Sequence, residues 1–117
     1  MKELQERVAR AFSGHRFAEA YPHLADDVLW VTPGGGARVG RQAVVAACDE
    51  LAAELEGVEH AFSRFLVVVG EDAVVVDSLA EYLDPSGDRT AVASCDVYEF
   101  TGDAVRRITT YAADATE

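Results

Sequence analysis

Two alternating runs joined by a short turn dominate the last third of the sequence, over Thr90–Tyr111. β-Branched and aromatic residues are frequent in both runs, as is typical of β-strands. The residues between them, Thr101–Asp103, have the glycine-containing pattern of a hairpin turn. We therefore predict an antiparallel hairpin here. Because side chains alternate along a strand, one face of its first strand carries Val92, Ser94, Asp96, Tyr98 and Phe100.

Asp96 is the unexpected member of this face. It lies in the middle of the predicted strand and shares its face with Tyr98 and Phe100, where a core residue such as valine is usual. Burying a carboxylate is costly unless it is paired or neutralised. Asp96 is therefore solvated in a cavity, held by hydrogen bonds, or placed on the wetter side of the sheet. The first alternative makes it a candidate functional residue.

The composition limits the class of protein. With 117 residues, 50% of them hydrophobic, the chain is expected to fold as one globular domain over residues 1–117. Its net charge of −11 argues against nucleic acid or an anionic membrane as a partner, because phosphate binding needs clustered Lys and Arg. The first residues lack the apolar core of a signal peptide, and no run approaches the length of a membrane span, so we expect a cytoplasmic protein.

The remaining elements are predicted from apolar spacing and from glycine and proline positions. Helical spacing over the first residues ends at Gly14, and a second helical segment from Phe17 to Leu24 is interrupted at Pro22. A short strand, a mobile glycine-rich loop, a long helix and two long strands follow, at Val28–Thr32, Pro33–Gly36, Arg41–Leu55, Val58–Val69 and Ala73–Leu83. The order ααβαββββ predicts an α+β domain, with the helices packed on one face of a curved antiparallel sheet.

Three stretches of the sequence resemble the nuclear transport factor 2-like superfamily, which includes SnoaL-like polyketide cyclases, ketosteroid isomerases and limonene-epoxide hydrolases. They read LADDVLWVTPGG, RVGRQAVV and CDVYEFTGDAVRRITTY. With the order of elements, the resemblance extends over nearly the whole chain. It implies a cystatin-like cone, in which a strongly bent sheet and about three N-terminal helices enclose a pocket. It also implies a homodimer that pairs through the outer sheet face. Apolar residues on both faces of the sheet favour the same assembly, because three short helices cannot cover both.

The resemblance allows the chemistry to be compared residue by residue. Asp96 falls where ketosteroid isomerases carry a protonated aspartate that donates a hydrogen bond to the substrate's oxyanion. Their general base corresponds to Thr32, and their tyrosine on the first helix corresponds to Val8. Since two of the three groups are absent, steroid isomerisation by that mechanism is not expected. Polyketide cyclases of this superfamily also work with one strand aspartate as acid and base, so Asp96 is the predicted catalytic residue.

Side-chain alternation supplies the other candidates for a pocket, and for each aromatic residue a place in the core is the alternative. The predicted substrate-binding residues are Tyr21, Trp30, Thr32, His60, Ser78, Tyr98, Phe100, Ile108 and Thr110. For His60 a place at the rim or on the dimer face is an equal alternative. The inward face of Val58–Val69 stays open, because its second half is apolar on both sides. His15 and His23 are expected to be exposed.

These observations predict a pocket for a small apolar ligand of polyketide, steroid or terpene type, on which an isomerase, cyclase or hydrolase acts with Asp96 as acid and base. The alternative is a non-catalytic binding or dimerisation module of the same fold. No cofactor is expected, and the spacing of His, Cys and carboxylates indicates no metal site. If burial dominates, the pKa of Asp96 is raised. If hydrogen bonds from Ser78, Ser94, Thr110 or a tyrosine dominate, it is lowered.

Overall fold

The computed structural model describes residues 2–117, which form three α-helices and a six-stranded, strongly curled but unclosed sheet. The helices are α1 (Lys2–Ser13), α2 (Phe17–Ala20) and α3 (Arg41–Glu54), and a 3₁₀ turn occupies Tyr21–His23. The strands are β1 (Leu24–Thr32), β2 (Gly36–Val39), β3 (Glu59–Val69), β4 (Ala73–Leu83), β5 (Arg89–Thr101) and β6 (Ala104–Asp114). This is the predicted α+β arrangement. Within residues 2–117, no helix has the length and apolar character needed to cross a membrane.

The strands lie in the order β2-β1-β6-β5-β4-β3. From β3 to β6, successive strands pair antiparallel through consecutive hairpins, as predicted. β1 differs, because it pairs parallel with β6. The predicted antiparallel pairing therefore holds for every other neighbouring pair, and this one parallel pair makes the sheet mixed. The reason is topological: α3 and the strands β3–β5 separate β1 from β6 in sequence, and this long connection lets the chain return beside β1 in the same direction.

The glycine-rich stretch after β1 forms a hairpin turn rather than an unstructured loop. Residues Gly36–Val39 pair antiparallel with β1, and Thr32 lies opposite Gly36. Gly34 and Gly36 have φ angles of +81° and +102°, which residues with side chains rarely adopt, so the glycines meet the requirements of a tight turn. The sequence did not predict β2, because its four residues are all exposed and do not alternate in polarity.

The predicted break at Pro22 is present. α2 ends at Ala20, and Pro22 lies in the first turn of the 3₁₀ segment, where its missing N–H is tolerated. The chain then enters β1 at Leu24, so a residue predicted at the end of a helix begins a strand. β1 is consequently longer than the predicted strand Val28–Thr32.

The hydrophobic core lies on the concave face of the sheet, beneath α1 and α3. Alternate residues of β4, β5 and β6 point into it, and Tyr98 and Ile108 are fully buried there. α1 contributes Phe12, and α3 contributes Val44 and Cys48 to the same cluster, so the long helix packs on the concave side as predicted. The convex face instead keeps large apolar side chains in contact with solvent. They include Leu66, Val68 and Tyr111.

Candidate functional site

A cavity of about 250 Å³ opens on the concave face, between the end of α1, α3 and the inner faces of the strands. Most of its exposed wall is apolar. The apolar side chains, four of which are aromatic, are Phe12, Phe17, Trp30, Leu51, Phe62, Ala80 and Val92. The polar side chains on the wall are Ser13, His15, Ser78, Tyr82, Ser94, Asp96 and Thr110. A few polar groups in an apolar concavity are typical of a ligand site.

A larger concavity, of about 560 Å³, is an open groove along the ends of β3, β4 and β5 and the last residues of the chain. Its walls include the exposed carboxylates of Glu59 and Glu81. We place the candidate site in the smaller interior cavity. The reason is that Asp96 is a carboxyl group buried among aromatic side chains, whereas the charges of the groove are solvated.

Asp96 lies on the inner face of β5, and the residue is only 7% exposed. Its neighbours across the sheet are Val76 on β4 and Thr110 on β6. Two hydroxyls donate to its carboxylate: Ser13 Oγ to Oδ2 at 2.7 Å, and Thr110 Oγ1 to Oδ1 at 2.7 Å. Ser94 Oγ is more distant, at 3.5 Å from Oδ1. Both carboxylate oxygens are therefore held by protein donors.

A second set of donors fixes the direction of these two hydroxyls. The Trp30 Nε1–H group donates to Thr110 Oγ1 at 2.9 Å, and because indole can only donate, the Thr110 proton is left to point at Asp96. Tyr98 OH lies 2.6 Å from Ser13 Oγ. Since the Ser13 proton is directed at Asp96, Tyr98 is the donor in that contact. Side chains from α1, β1, β5 and β6 thus form one hydrogen-bonded chain around Asp96.

Burial raises the pKa of Asp96 above its ordinary value, because a carboxylate is poorly solvated in this apolar environment. Hydrogen bonds from Ser13, Thr110 and Ser94 act in the opposite direction, and the net shift of the pKa is upward. Of the two outcomes that the sequence left open, desolvation is the stronger. Burial and the nearby charge of Asp96 also raise the pKa of Tyr98, so its hydroxyl keeps its proton and remains a donor.

Elsewhere on the cavity wall, His15 and Tyr82 form a second polar pair, with 2.9 Å between His15 Nε2 and the Tyr82 hydroxyl oxygen. Burial and the neighbouring His60 lower the pKa of His15 to about 4, so its ring is neutral at physiological pH. Burial raises the pKa of Tyr82. The His60 ring packs edge-on against His15, with 5.1 Å between ring centres. The pair is thus a neutral, hydrogen-bonded contact.

The structure brings part of the predicted set of site residues together. The cavity is lined by the predicted residues Trp30, Ser78, Asp96 and Thr110. Three others, which also point inward, are buried in the core behind the cavity: Tyr98, Phe100 and Ile108. Of these, Tyr98 is connected to the site by its hydrogen bond to Ser13.

The predicted residues Tyr21, Thr32 and His60 lie outside this cavity. The Tyr21 hydroxyl donates to Asp49 Oδ1 at 2.7 Å. Thr32 borders a separate cavity of about 230 Å³ beneath the β1–β2 hairpin. His60 lines the open groove and contacts His15. Alternation along a strand predicts which face a residue occupies, but it does not predict which part of that face borders a cavity.

Ser13 and His15 are site residues that the sequence did not identify. Ser13 lies in the last turn of α1, and His15 is half-buried with a φ angle of +67°, although exposure was expected. The sequence signal that could have identified these two residues was Gly14. A helix that stops at this glycine turns the residues beside it towards the surface on which the helix packs, and here that surface is the wall of the cavity.

The family model of the SnoaL-like domain matches residues 5–108 of the chain. The chain belongs to the SnoaL-like domain family. Among solved structures, this SnoaL-like chain is similar to an NTF2-like protein of unknown function from Cytophaga hutchinsonii, with 26% identity and a TM-score of 0.85. That alignment covers 97% of this chain and 99% of the other.

Two more distant structures have the same fold as this SnoaL-like chain. One is a candidate polyketide cyclase from a Silicibacter species, with 15% identity, a TM-score of 0.71 and coverage of 95% of this chain and 87% of the other. The second is a candidate ketosteroid isomerase from Kribbella flavida, with 18% identity, a TM-score of 0.68 and coverage of 98% and 82%. Comparison with curated proteins finds no match.

Proposed function

We propose that this SnoaL-like protein is an enzyme that transfers a proton on a compact, mostly apolar substrate, in an isomerase- or cyclase-type reaction with Asp96 as acid and base. The main support is a carboxyl group buried on the wall of an apolar cavity, with its pKa displaced upward. Such carboxyl groups are frequent in catalysis, because an acid or base works best when its pKa is close to the working pH. The fold shared with a candidate polyketide cyclase and a candidate ketosteroid isomerase is consistent with this.

The size of the cavity limits the substrate. A closed apolar cavity of about 150 Å³ holds one benzene molecule, and pockets for drug-sized ligands begin at roughly 300 Å³. The volume here, about 250 Å³, lies between these values. It favours a molecule of one or two rings, of small polyketide or terpene type, over the four rings of a steroid.

The hydrogen bonds around Asp96 favour its ionised form, so in the proposed reaction it acts first as a base. Ser13 and Thr110 both direct protons at its carboxylate, and Trp30 holds the Thr110 hydroxyl in that direction. In the proposed reaction, the Asp96 carboxylate takes a proton from a carbon beside a substrate carbonyl, and the electron pair of that C–H bond forms an enolate. The Asp96 carboxylic acid then returns the proton to a different carbon in an isomerisation, or to the alkoxide oxygen formed by ring closure.

Proton removal can be detected without the natural substrate. We expect the wild-type protein to accelerate deuterium uptake at carbon 2 of 1-tetralone, a two-ring ketone, in D₂O, as followed by proton NMR. Asp96→Asn keeps the size of the side chain and removes the titrating group. It should lose most of the acceleration, since a positioned general base contributes roughly 10²–10⁴-fold.

Asp103→Asn is the matched control, because Asp103 is an exposed aspartate in the β5–β6 turn, outside the cavity. It should exchange 1-tetralone at the wild-type rate. Equal exchange rates for Asp96→Asn and wild type would contradict the acid–base role. Binding of 1-tetralone without any accelerated exchange would favour the non-catalytic binding module instead.

We also propose that the protein works as a homodimer that pairs through the convex face of the sheet. Leu66, Val68 and Tyr111 are 48%, 53% and 54% exposed on this face. Exposed apolar side chains that share one face mark an interaction surface more often than isolated ones do. The cytoplasmic location and the single domain over residues 1–117 remain predictions.

A further inference from the structure

The cavity contains a second polar pair, His15 and Tyr82, which takes no part in the proposed proton transfer at Asp96. We propose that this pair is a second substrate contact, which binds a neutral hydroxyl or carbonyl oxygen on the part of the substrate remote from the transferred proton. The inference rests on the proposed function and extends it. It defines the substrate class as a compact apolar body with an oxygen atom at each end.

The backbone at His15 indicates that the imidazole is not needed to end the helix. At the end of α1, the Arg16 N–H group bonds to Ala11 O at 2.8 Å, and the His15 N–H group bonds to Phe12 O at 3.2 Å. This pattern requires a left-handed residue, which is His15 with a φ angle of +67°, at a position where glycine is the usual choice. Strained residues of this kind cluster at functional sites, where the side chain has a use.

One short segment of chain places both polar contacts. Ser13 contacts Asp96, His15 contacts Tyr82, and Gly14 lies between them. Because two residues of chain span at most about 7 Å, the Cα atoms that carry these two side chains lie within that distance of each other. Gly14 allows the segment to pack this closely, since a Cβ atom there would lie 2.8 Å from a backbone oxygen of the preceding helical turn.

The surroundings of the pair determine what it can bind. The nearby wall is apolar, with Phe12, Phe17, Phe62 and Val92 on the cavity surface. His15 is neutral at physiological pH and Tyr82 keeps its proton, so the pair has no charge to offer a carboxylate or an amine. Whichever imidazole nitrogen carries the proton, the Tyr82 oxygen retains either its proton or a lone pair for a ligand. A hydroxyl group matches both states, and a carbonyl oxygen matches the state in which the Tyr82 hydroxyl donates.

Two naphthols test the inference, because 2-naphthol and 2,6-dihydroxynaphthalene share a two-ring body and differ by the second hydroxyl. Trp30 is the single tryptophan of the chain and lines the cavity, so its indole N–H resonance in a ¹⁵N–¹H NMR titration reports entry of either probe. We expect wild type to bind the dihydroxy probe about three- to tenfold more tightly, as one neutral hydrogen bond contributes. Tyr82→Phe should abolish this preference. Tyr111→Phe, which removes the hydroxyl of an exposed tyrosine outside the cavity, should retain it.

His15→Asn is an independent second variant, since asparagine tolerates the left-handed backbone but lacks the ring. It should also lose the preference for the dihydroxy probe. A preference that survives both substitutions overturns the inference and leaves the role of Asp96 in deuterium exchange intact. If neither naphthol shifts the Trp30 resonance of the wild-type protein, the cavity does not accept two-ring molecules, and the proposed function fails together with the inference.

Discussion

At the level of single residues, the burial of Asp96 places a titratable carboxyl group in a largely apolar core. An unpaired buried charge is costly, and two hydroxyl donors reduce that cost here without removing it, because the pKa stays raised. The same group of hydrogen-bonded side chains accommodates Tyr98, since its fully buried hydroxyl donates to Ser13. Ser13 therefore supports both polar groups at once.

Ser13→Ala is expected to destabilise the protein by roughly 1–3 kcal/mol, the cost of leaving a buried polar group without a partner. Tyr98 loses its hydrogen-bond acceptor, and Asp96 loses a donor that favours its charged form, so the pKa of Asp96 should rise further. Urea unfolding at neutral pH measures the change in the free energy of unfolding.

Ser63→Ala is the control for this experiment. Ser63 is exposed on β3 and lies outside the interior cavity, so its variant should remain within about 0.5 kcal/mol of wild type. If Ser13→Ala unfolds at the same urea concentration as Ser63→Ala, the hydrogen-bonded chain around Asp96 does not stabilise the fold.

At the level of elements, the sequence predicted correctly those strands whose own residues alternate between apolar and polar positions. Alternation over Thr90–Tyr111, with its turn, predicted the β5–β6 hairpin and the inward face of β5, and the structure confirms both. The parallel pairing of β1 with β6 was out of reach, because neither strand carries a pattern that identifies its neighbour. β2 was missed for a related reason: its four residues are exposed at the sheet edge and acquire their structure from pairing with β1.

The candidate site likewise contains some residues that the sequence identified and others that it could not. Ser78, Asp96 and Thr110 were identified from alternation along their own strands, and all three line the cavity. Ser13 and His15 could not be identified from any periodicity. Their positions depend on where the end of α1 docks on the sheet, which is a long-range contact between residues more than sixty positions apart in sequence.

For the whole molecule, the two faces of the sheet have different environments. α1 and α3 cover the concave face and enclose the cavity, whereas the convex face exposes a patch that includes Leu66, Val68 and Tyr111. Each chain also carries a net charge of −11, so two copies repel one another at low ionic strength. Pairing through the convex face should therefore be strengthened by salt, which screens that repulsion and favours apolar burial.

The double variant Leu66→Glu, Val68→Glu is expected to be monomeric, because it places charges in the proposed dimer face. Light scattering at micromolar concentration should return twice the mass of one chain for wild type and the mass of a single chain for the variant. Val39→Glu is the control, since Val39 is an exposed apolar residue (73%) on β2, at the opposite edge of the sheet from β3, and should leave the dimer intact. A monomer mass for wild type would rule out the proposed assembly under these conditions.

The ionisation of Asp96 links the chemistry of the cavity to the stability of the fold. Because its pKa is raised in the folded protein, the folded state holds the proton more tightly than the unfolded state does. The contribution of Asp96 to stability is therefore largest below its unfolded pKa of about 3.9, and it declines as the pH rises through the folded pKa. Asp96→Asn cannot ionise, so stability relative to wild type should shift in favour of the variant as the pH rises.

A carbon-13 NMR titration of the Asp96 carboxyl group, assigned by comparison with Asp96→Asn, measures this ionisation directly. We predict a midpoint above the ordinary aspartate value of about 3.9, because burial outweighs the hydrogen bonds from Ser13 and Thr110. A midpoint at or below that value would show that the hydrogen bonds dominate and that Asp96 is a structural acceptor, which would contradict its role as acid and base.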